Sequence, residues 1–236
     1  MTKDLSAIGR ALAVPARSAI LAALIDGSRR PASELAGIAG VSPSTASEHL
    51  GVLVDAGLLQ VEARGRRRFY RIASPDVAVA LEALGGLSPA VPVTGYRGHR
   101  EAEDLAGARF CYDHLAGRLG VALADGLVAR GLLVAESLDL APGASDGFTG
   151  LGVDLAGIRG TRTLVRACPD WTERRPHLAG ALGAHLAARF LDAGWIRRRA
   201  GSRRGVELTG EGARGLAGEW GIELSADSLP IVGGRP

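Results

Sequence analysis

Two short segments of the sequence each place a cysteine ahead of a histidine. Cys111 and His114 have the spacing Cys-x2-His, and Cys168 and His177 have the spacing Cys-x8-His. Two thiolates and two imidazoles can hold zinc in a tetrahedral site, and soft ligands of this kind suit thiophilic metals. Because the spacing differs from that of a zinc finger, the residue types rather than the motif indicate zinc or another thiophilic metal.

Three other interpretations of these segments stay open. The two thiols can form a redox or persulfide switch if the fold brings them together. A small organic effector can bind in a cavity lined by aromatic side chains, among them Trp195. Alternatively, the cysteines fill the core and the histidines cap helices or bond carbonyl groups. The ligand is therefore unknown, and the candidate effector or metal residues are Cys111, Tyr112, His114, Cys168, Trp171 and His177.

Both segments belong to an internal repeat. The stretch from His114 to Ala124, beginning His-Leu-Ala-Gly, recurs 63 residues later from His177 to Ala187. This self-match predicts two copies of one helical unit packed about a pseudo-twofold axis. Residues 192–196 also resemble residues 55–59, so we predict two winged-helix-like units, at about 100–160 and 164–225.

Nearer the N-terminus, the sequence predicts a helix-turn-helix. A short helix over 33–39 ends at Gly40, and a second helix begins with Ser42 as N-cap and Pro43 in its first turn, before Gly57 terminates it. The N-terminal half of such a second helix enters the major groove of DNA, although polar residues here are also those of an ordinary helix cap. The candidate contacts to phosphates and base edges are Ser42, Ser44, Thr45, Ser47, Glu48 and His49.

A β-hairpin with a basic tip is predicted directly after this helix. Residues 58–63 alternate as a strand, residues 64–66 turn, and residues 67–72 return. Such a hairpin is a wing, whose tip can reach the adjacent minor groove or its phosphates. Its candidate DNA contacts are Arg64, Arg66, Arg67, Arg68 and Tyr70. A second run of five arginines, at 197–204, follows an apolar helix, and we predict that it is not a second DNA-binding wing.

These N-terminal residues resemble a known family. Residues 14–24 (Val-Pro-Ala-Arg-Ser-Ala-Ile-Leu-Ala-Ala-Leu), the Ser-Glu-His-Leu of 47–50 and the Asp-Ala-Gly-Leu-Leu of 55–59 are similar to the ArsR/SmtB bacterial repressors. The resemblance covers about residues 5–85. It implies a dimer that binds a palindromic operator in double-stranded DNA and leaves it when an inducer binds. Residues 33–38 lack the Cys-x-Cys pair of the family's metal sensors, and residues 76–84 match the place of its dimerising helix.

Composition limits the remaining classes of function. A hydrophobic fraction of 47% with 22% charged residues is typical of a globular protein. No apolar run reaches the roughly 18 residues of a membrane span, and the first residues do not resemble a signal peptide, so we expect a cytoplasmic protein without membrane contact. The sequence has no Gly-x-Ser-x-Gly and no His-Glu-x-x-His, and its glycine-rich stretch at 147–152 does not fit a phosphate loop. We therefore expect no enzymatic activity.

Together these patterns predict a mainly α protein with small β-hairpin wings. A winged helix-turn-helix domain for DNA binding and dimerisation is expected over 1–87, a linker over 88–99, and an effector or dimerisation module over 100–236. The predicted function is that of a dimeric repressor that an effector in the module releases from its operator. The alternative is a ligand-binding, thiol-binding or metal-binding module, or an enzyme, that keeps the winged helix as a scaffold.

Overall fold

The computed structural model describes residues 4–89, 92–158, 160–224 and 231–232. These residues form two compact units, the first extending to Leu81 and the second beginning at Glu82. Helix α5 (Pro75–Leu87) contains the division, and helix α6 (Gly95–Gly107) begins inside the segment predicted as a linker. Positions 90 and 91 of that linker, and the last residue of the predicted second repeat, lie outside the described residues. The predicted domain boundaries stay predictions.

The first unit is a small helical bundle with one three-stranded sheet. Its helices are α1 (Ser6–Leu12), α2 (Pro15–Leu24), α3 (Ala32–Ala39), α4 (Pro43–Asp55) and the start of α5. Strands β1 (Arg30–Pro31), β2 (Leu59–Arg64) and β3 (Arg67–Ile72) form an antiparallel sheet in the order β1-β3-β2.

Local sequence signals explain the boundaries of the two helices that form the turn. Gly40 ends α3 in the left-handed conformation, at φ +64°, which a residue with a side chain adopts only at a cost. Ser42 then caps α4, because its Oγ accepts a hydrogen bond of 3.2 Å from the backbone N–H of Thr45. Side chains from three helices fill the core beneath them, and the fully buried ones include Ile20, Leu24, Leu35, Leu50 and Leu53.

The second unit combines helices with short β-hairpins. Its helices are the end of α5, then α6, α7 (Gly117–Ala129), α8 (Ala144–Gly150), α9 (Gly180–Asp192) and α10 (Gly210–Gly218), with a 3-10 turn at Leu155–Gly157. Two hairpins are formed by β4 (Arg109–Cys111) with β5 (His114–Ala116) and by β6 (Arg166–Pro169) with β7 (Pro176–Ala179). Strands β8 (Ile196–Arg198), β9 (Val206–Thr209) and β10 (Ile231–Val232) form a third small sheet.

The two copies of the sequence repeat occupy equivalent places in this unit. Hairpin β4–β5 leads directly into α7, and hairpin β6–β7 leads directly into α9. Each of these helices begins with a glycine at positive φ, Gly117 at +74° and Gly180 at +85°. A Cβ at either position would lie under 3 Å from a backbone oxygen, so the entry into each helix requires glycine. The likeness of the two copies to a winged helix stays a prediction.

The two copies also pack against each other. On α7, a Cβ added at Gly120 would lie 3.5 Å from the Cβ of His177, and on α9 one added at Gly183 would lie 3.3 Å from the Cβ of His114. Each helix therefore lies on the histidine of the other copy's hairpin. This reciprocal packing buries both histidines between the two copies.

Among the described residues no single helix is long and apolar enough to cross a membrane. Helices α1 and α2 taken together have the length and apolar composition of a membrane span, but the chain bends by 91° between them.

Candidate functional site

The exposed half of α4 carries the predicted recognition residues. Ser42, Ser44, Ser47 and Glu48 are exposed, whereas Thr45 and His49 are half-buried. On the opposite face, Ala46, Leu50 and Leu53 are fully buried in the first unit. Ser42 Oγ is shared between Ser44 Oγ and Thr45 Oγ1, each at 2.9 Å, so these hydroxyls serve the helix cap as well as the surface. Ser47 and Glu48 are the most available groups for a base edge.

The predicted wing is present as strands β2 and β3. The two strands pair from Leu59 with Ile72 to Arg64 with Arg67, and Gly65 turns the chain at φ +60°. Arg64 donates to Glu62 at 3.0 Å and lies over the ring of Phe69. The other tip arginines, Arg66, Arg67 and Arg68, have exposed side chains.

Tyr70 does not lie with these arginines. Its side chain is 6% exposed, and on β3 it shares the inward face with the fully buried Ile72. Residues two apart on a strand point to the same side of the sheet, so Tyr70 belongs to the core. The structure therefore does not place Tyr70, a predicted DNA contact, among the groups available to DNA.

The second arginine run makes contacts within its own unit. Arg197 and Arg199 form ion pairs with Glu207, Arg198 lies over the ring of Phe110 at 4.3 Å, and Arg204 pairs with Glu82 at 3.0 Å. Four of the five arginines of the run thus have partners within the unit, which favours the prediction that the run is not a second wing.

The structure brings Cys111, His114, Cys168 and His177 together in the second unit, and we call these four residues the Cys2His2 cluster. Cys111 pairs with His114 across hairpin β4–β5, and Cys168 pairs with His177 across hairpin β6–β7. The two Sγ atoms lie 3.9 Å apart, and the two Nε2 atoms lie 3.1 Å apart. All four side chains are buried, and their potential ligand atoms all lie within 4.8 Å of one another. Each hairpin thus contributes one sulfur and one nitrogen to a single point.

Carboxylates face the outer nitrogen of each imidazole. Asp113 Oδ1 lies 3.5 Å from Nδ1 of His114. Asp170 Oδ2 lies 3.2 Å from Nδ1 of His177, without the alignment of a hydrogen bond. Asp170 Oδ2 also accepts a hydrogen bond of 2.7 Å from the N–H of Gly117, where α7 begins.

Burial and hydrogen bonding shift the ionisation of the cluster. The Sγ of Cys168, together with burial, raises the pKa of Cys111 to about 12. Burial opposes a charge on His114, but hydrogen bonds with Asp113 and Cys111 outweigh it and raise its pKa. The same balance raises the pKa of His177 through Asp170 and Cys111. Cys111, His114 and His177 therefore hold their protons more firmly than the same side chains do in water.

A buried arginine contacts the carboxylate that faces His177. Arg109 is fully buried and donates to Glu82 Oε1 at 2.6 Å, to Asp170 Oδ1 at 2.9 Å and to Thr172 Oγ1 at 3.0 Å. Burial alone would raise the pKa of Asp170, but His177 and Arg109 lower it well below its usual range. Glu82 on α5 is therefore connected to His177 by three successive side-chain contacts, through Arg109 and Asp170.

Each of the aromatic candidates contacts a side chain other than the four cluster residues. The Trp171 ring is 4.9 Å from the Arg109 guanidinium, Tyr112 lies beside Arg162, and Trp195 stacks on Phe190. Of the six residues that the sequence predicted for an effector or metal, four converge and two, Tyr112 and Trp171, do not. The structure thus gives no support to an aromatic cavity formed by these three rings.

Sequence analysis missed the residues that support the cluster, namely Glu82, Arg109, Asp113 and Asp170. Asp113 and Asp170 lie within two residues of a predicted ligand, which is a usable signal for an outer carboxylate. Glu82 offers no such signal, because it lies 27 residues before Arg109 and joins it only through the fold.

A recognition helix with a polar exposed half, capped by Ser42 and followed at once by a basic wing, defines a winged helix-turn-helix DNA-binding protein. A family model described as a helix-turn-helix domain matches residues 12–62. The uncharacterized HTH-type transcriptional regulator YdfF of Bacillus subtilis is 41% identical over 216 residues, which cover 90% of this chain and 95% of that protein. The protein is a transcriptional regulator with a DNA-binding winged helix-turn-helix domain, and it belongs with YdfF to the HTH-type transcriptional regulators.

Shorter relatives match about a third of the chain. The HTH-type transcriptional regulator CmtR of Mycobacterium bovis is 41% identical over 80 residues, covering 34% of this chain and 67% of that protein. Among solved structures, the homodimeric winged helix-turn-helix DNA-binding domain of a possible ArsR-family regulator from Mycobacterium bovis is 32% identical. The match covers 35% of this chain and 76% of the Mycobacterium bovis chain, with a TM-score of 0.34.

Proposed function

We propose that the protein is a homodimeric, cytoplasmic repressor that reads an inverted repeat in double-stranded DNA and is released by an effector bound in its C-terminal module. The observation that carries the proposal is the pairing, within one unit, of the exposed polar half of α4 with the exposed arginines of the β2–β3 wing. Side chains of the first kind read base edges, and those of the second neutralise phosphates. The relatives are named as transcriptional regulators, which favours a role without catalysis.

Dimerisation is supported by apolar side chains that α5 leaves exposed. Leu84 and Leu87 are 42% and 83% exposed. An apolar strip on one helix can be covered by the same helix of a second copy, which gives a twofold interface. A twofold dimer places two recognition helices on half-sites about one helical turn apart.

Release by an effector needs a connection from the module to the DNA-binding unit. Helix α5 begins in the first unit, and its Glu82 belongs to the contacts that end at His177. We infer that a ligand at the Cys2His2 cluster acts through this series of contacts on α5. It lowers operator affinity only if it favours one arrangement of the dimer over another.

Substitutions in the wing and in the recognition helix are expected to have different effects. Arg67→Ala should weaken binding to all DNA sequences alike and should reduce the slope of log K against log salt concentration by about one unit per lost phosphate contact. Glu48→Ala should instead change the preference between sequences, by about 1–3 kcal/mol if the carboxylate reaches a base edge. Both are measured by fluorescence anisotropy on DNA from upstream of the protein's own gene and on unrelated DNA, over a range of salt concentrations.

Arg203→Ala is the matched control, because Arg203 is an exposed arginine of the second run. It should leave the salt dependence as it is in the wild type. An unchanged slope for Arg67→Ala, or an equal change for Arg203→Ala, would show that the wing has been misassigned.

A further inference from the structure

We propose that the Cys2His2 cluster binds one thiophilic divalent metal ion of the zinc class in a closed, tetrahedral site. The argument does not depend on the proposed repressor function, because it uses only the geometry and chemistry of the second unit.

The sulfur–sulfur and nitrogen–nitrogen separations match those around a tetrahedral ion with two sulfur and two nitrogen ligands. Bonds of about 2.3 Å to sulfur and about 2.0–2.1 Å to nitrogen place two sulfurs about 3.8 Å apart and two nitrogens about 3.3 Å apart. The Sγ atoms of Cys111 and Cys168 are separated by 3.9 Å, and the Nε2 atoms of His114 and His177 by 3.1 Å. Both separations agree with the expected values to about 0.2 Å.

The orientation of the two imidazoles favours a cation between them. Asp113 and Asp170 face the Nδ1 atoms, and a carboxylate next to Nδ1 keeps the imidazole proton there. With its proton on Nδ1, each neutral imidazole directs the lone pair of Nε2 at the other imidazole, across 3.1 Å in a buried site. A metal ion at this point accepts both lone pairs. A carboxylate behind each ligating histidine is also the usual second shell of zinc sites.

A disulfide between the two cysteines explains less of the geometry. It would bring the sulfurs to about 2.05 Å from each other. It would not explain why the two imidazoles converge or why a carboxylate faces each of them. A metal ion uses all four side chains and both outer carboxylates. It also accounts for two buried histidines at equivalent positions of the repeat.

The four protein ligands leave no open coordination position, which is typical of structural zinc sites rather than catalytic ones. Because one sulfur and one nitrogen come from each hairpin, the ion would join β4–β5 to β6–β7. The consequence is that the two copies of the repeat are held together by metal coordination as well as by the packing of α7 and α9.

Full-length protein, purified under reducing conditions and incubated with zinc or with cobalt(II), provides the test. Native mass spectrometry and metal analysis should find one ion per chain. The cobalt form should show the intense visible bands of a tetrahedral site and thiolate-to-cobalt absorption in the near ultraviolet. Cys111→Ser should roughly halve that thiolate absorption, and His177→Gln should remove the tetrahedral bands. His185→Gln, an exposed histidine on α9, should change neither.

Asp113→Asn is a milder variant that keeps all four ligands, and Asp113 is only partly buried. It should weaken zinc binding by about 10–100-fold in competition with a chromophoric chelator, as loss of an outer partner does. Helical circular dichroism shows that each variant is folded. Absence of bound metal in folded wild type after incubation, an unchanged cobalt spectrum in Cys111→Ser, or a Cys111–Cys168 disulfide that forms equally with and without zinc would overturn the proposal. None of these readouts uses DNA, so failure here and failure of the repressor function are separate results.

Discussion

Arg109→Ala is expected to destabilise the second unit by about 3–5 kcal/mol, because it removes the buried cation that the carboxylates of Glu82 and Asp170 share. Arg109 is fully buried, as are both acidic side chains. All three tryptophans of the chain, Trp171, Trp195 and Trp220, belong to this unit, so urea unfolding followed by tryptophan fluorescence reports on it alone.

Arg175→Ala is the matched control for this change. Arg175 also pairs with an aspartate, at 2.8 Å from Asp125, but the side chains are 58% and 47% exposed. An exposed ion pair contributes about 0–1 kcal/mol, so the unfolding midpoint should move little. Equal effects of the two substitutions would mean that the contacts behind the cluster do not support this unit.

Gly183→Ala is expected to cost about 1–3 kcal/mol of folding free energy and to weaken metal binding at the Cys2His2 cluster. A Cβ at this position would lie 2.5 Å from the carbonyl oxygen of Leu178 and 3.3 Å from the Cβ of His114. The backbone of β7 or the side chain of His114 must therefore shift, and either shift disturbs a ligand. Urea unfolding measures the first effect, and zinc competition measures the second.

Gly150→Ala provides the comparison within the same unit. No atom lies within 4 Å of a Cβ added there, so alanine should be neutral or should stabilise the protein by up to about 1 kcal/mol. Zinc affinity should be that of the wild type. If Gly183→Ala behaved in the same way, the close contacts of α9 with β7 and with His114 would be refuted.

The helix-turn-helix was predictable because residues at the helix ends themselves determine where the two helices begin and end. Gly40, Ser42, Pro43 and Gly57 each act on the backbone within one turn, and the structure places the helix ends beside them. The pairing of the wing also follows from its short turn at Gly65. Signals of this kind do not depend on the rest of the fold.

Local signals of this kind were not sufficient for two parts of the site. Tyr70 is a predicted DNA contact, but its spacing from Ile72 places it on the inward face of β3. The four members of the Cys2His2 cluster were recognised by residue type, but their convergence depends on how two hairpins pack. Glu82 and Arg109 could not be predicted at all, because a buried ion pair is set by tertiary contacts.

Selection of binding sites from random DNA tests the central claim, sequence-specific binding by paired winged helices, most directly. Wild-type protein should enrich an inverted repeat with half-sites about one helical turn apart. A variant with Ser47, Glu48 and His49 all replaced by alanine should lose that enrichment while keeping weak, salt-sensitive binding to any DNA. No enriched repeat with folded wild-type protein, or the same repeat enriched by the triple variant, would contradict the assignment of α4 as the recognition helix.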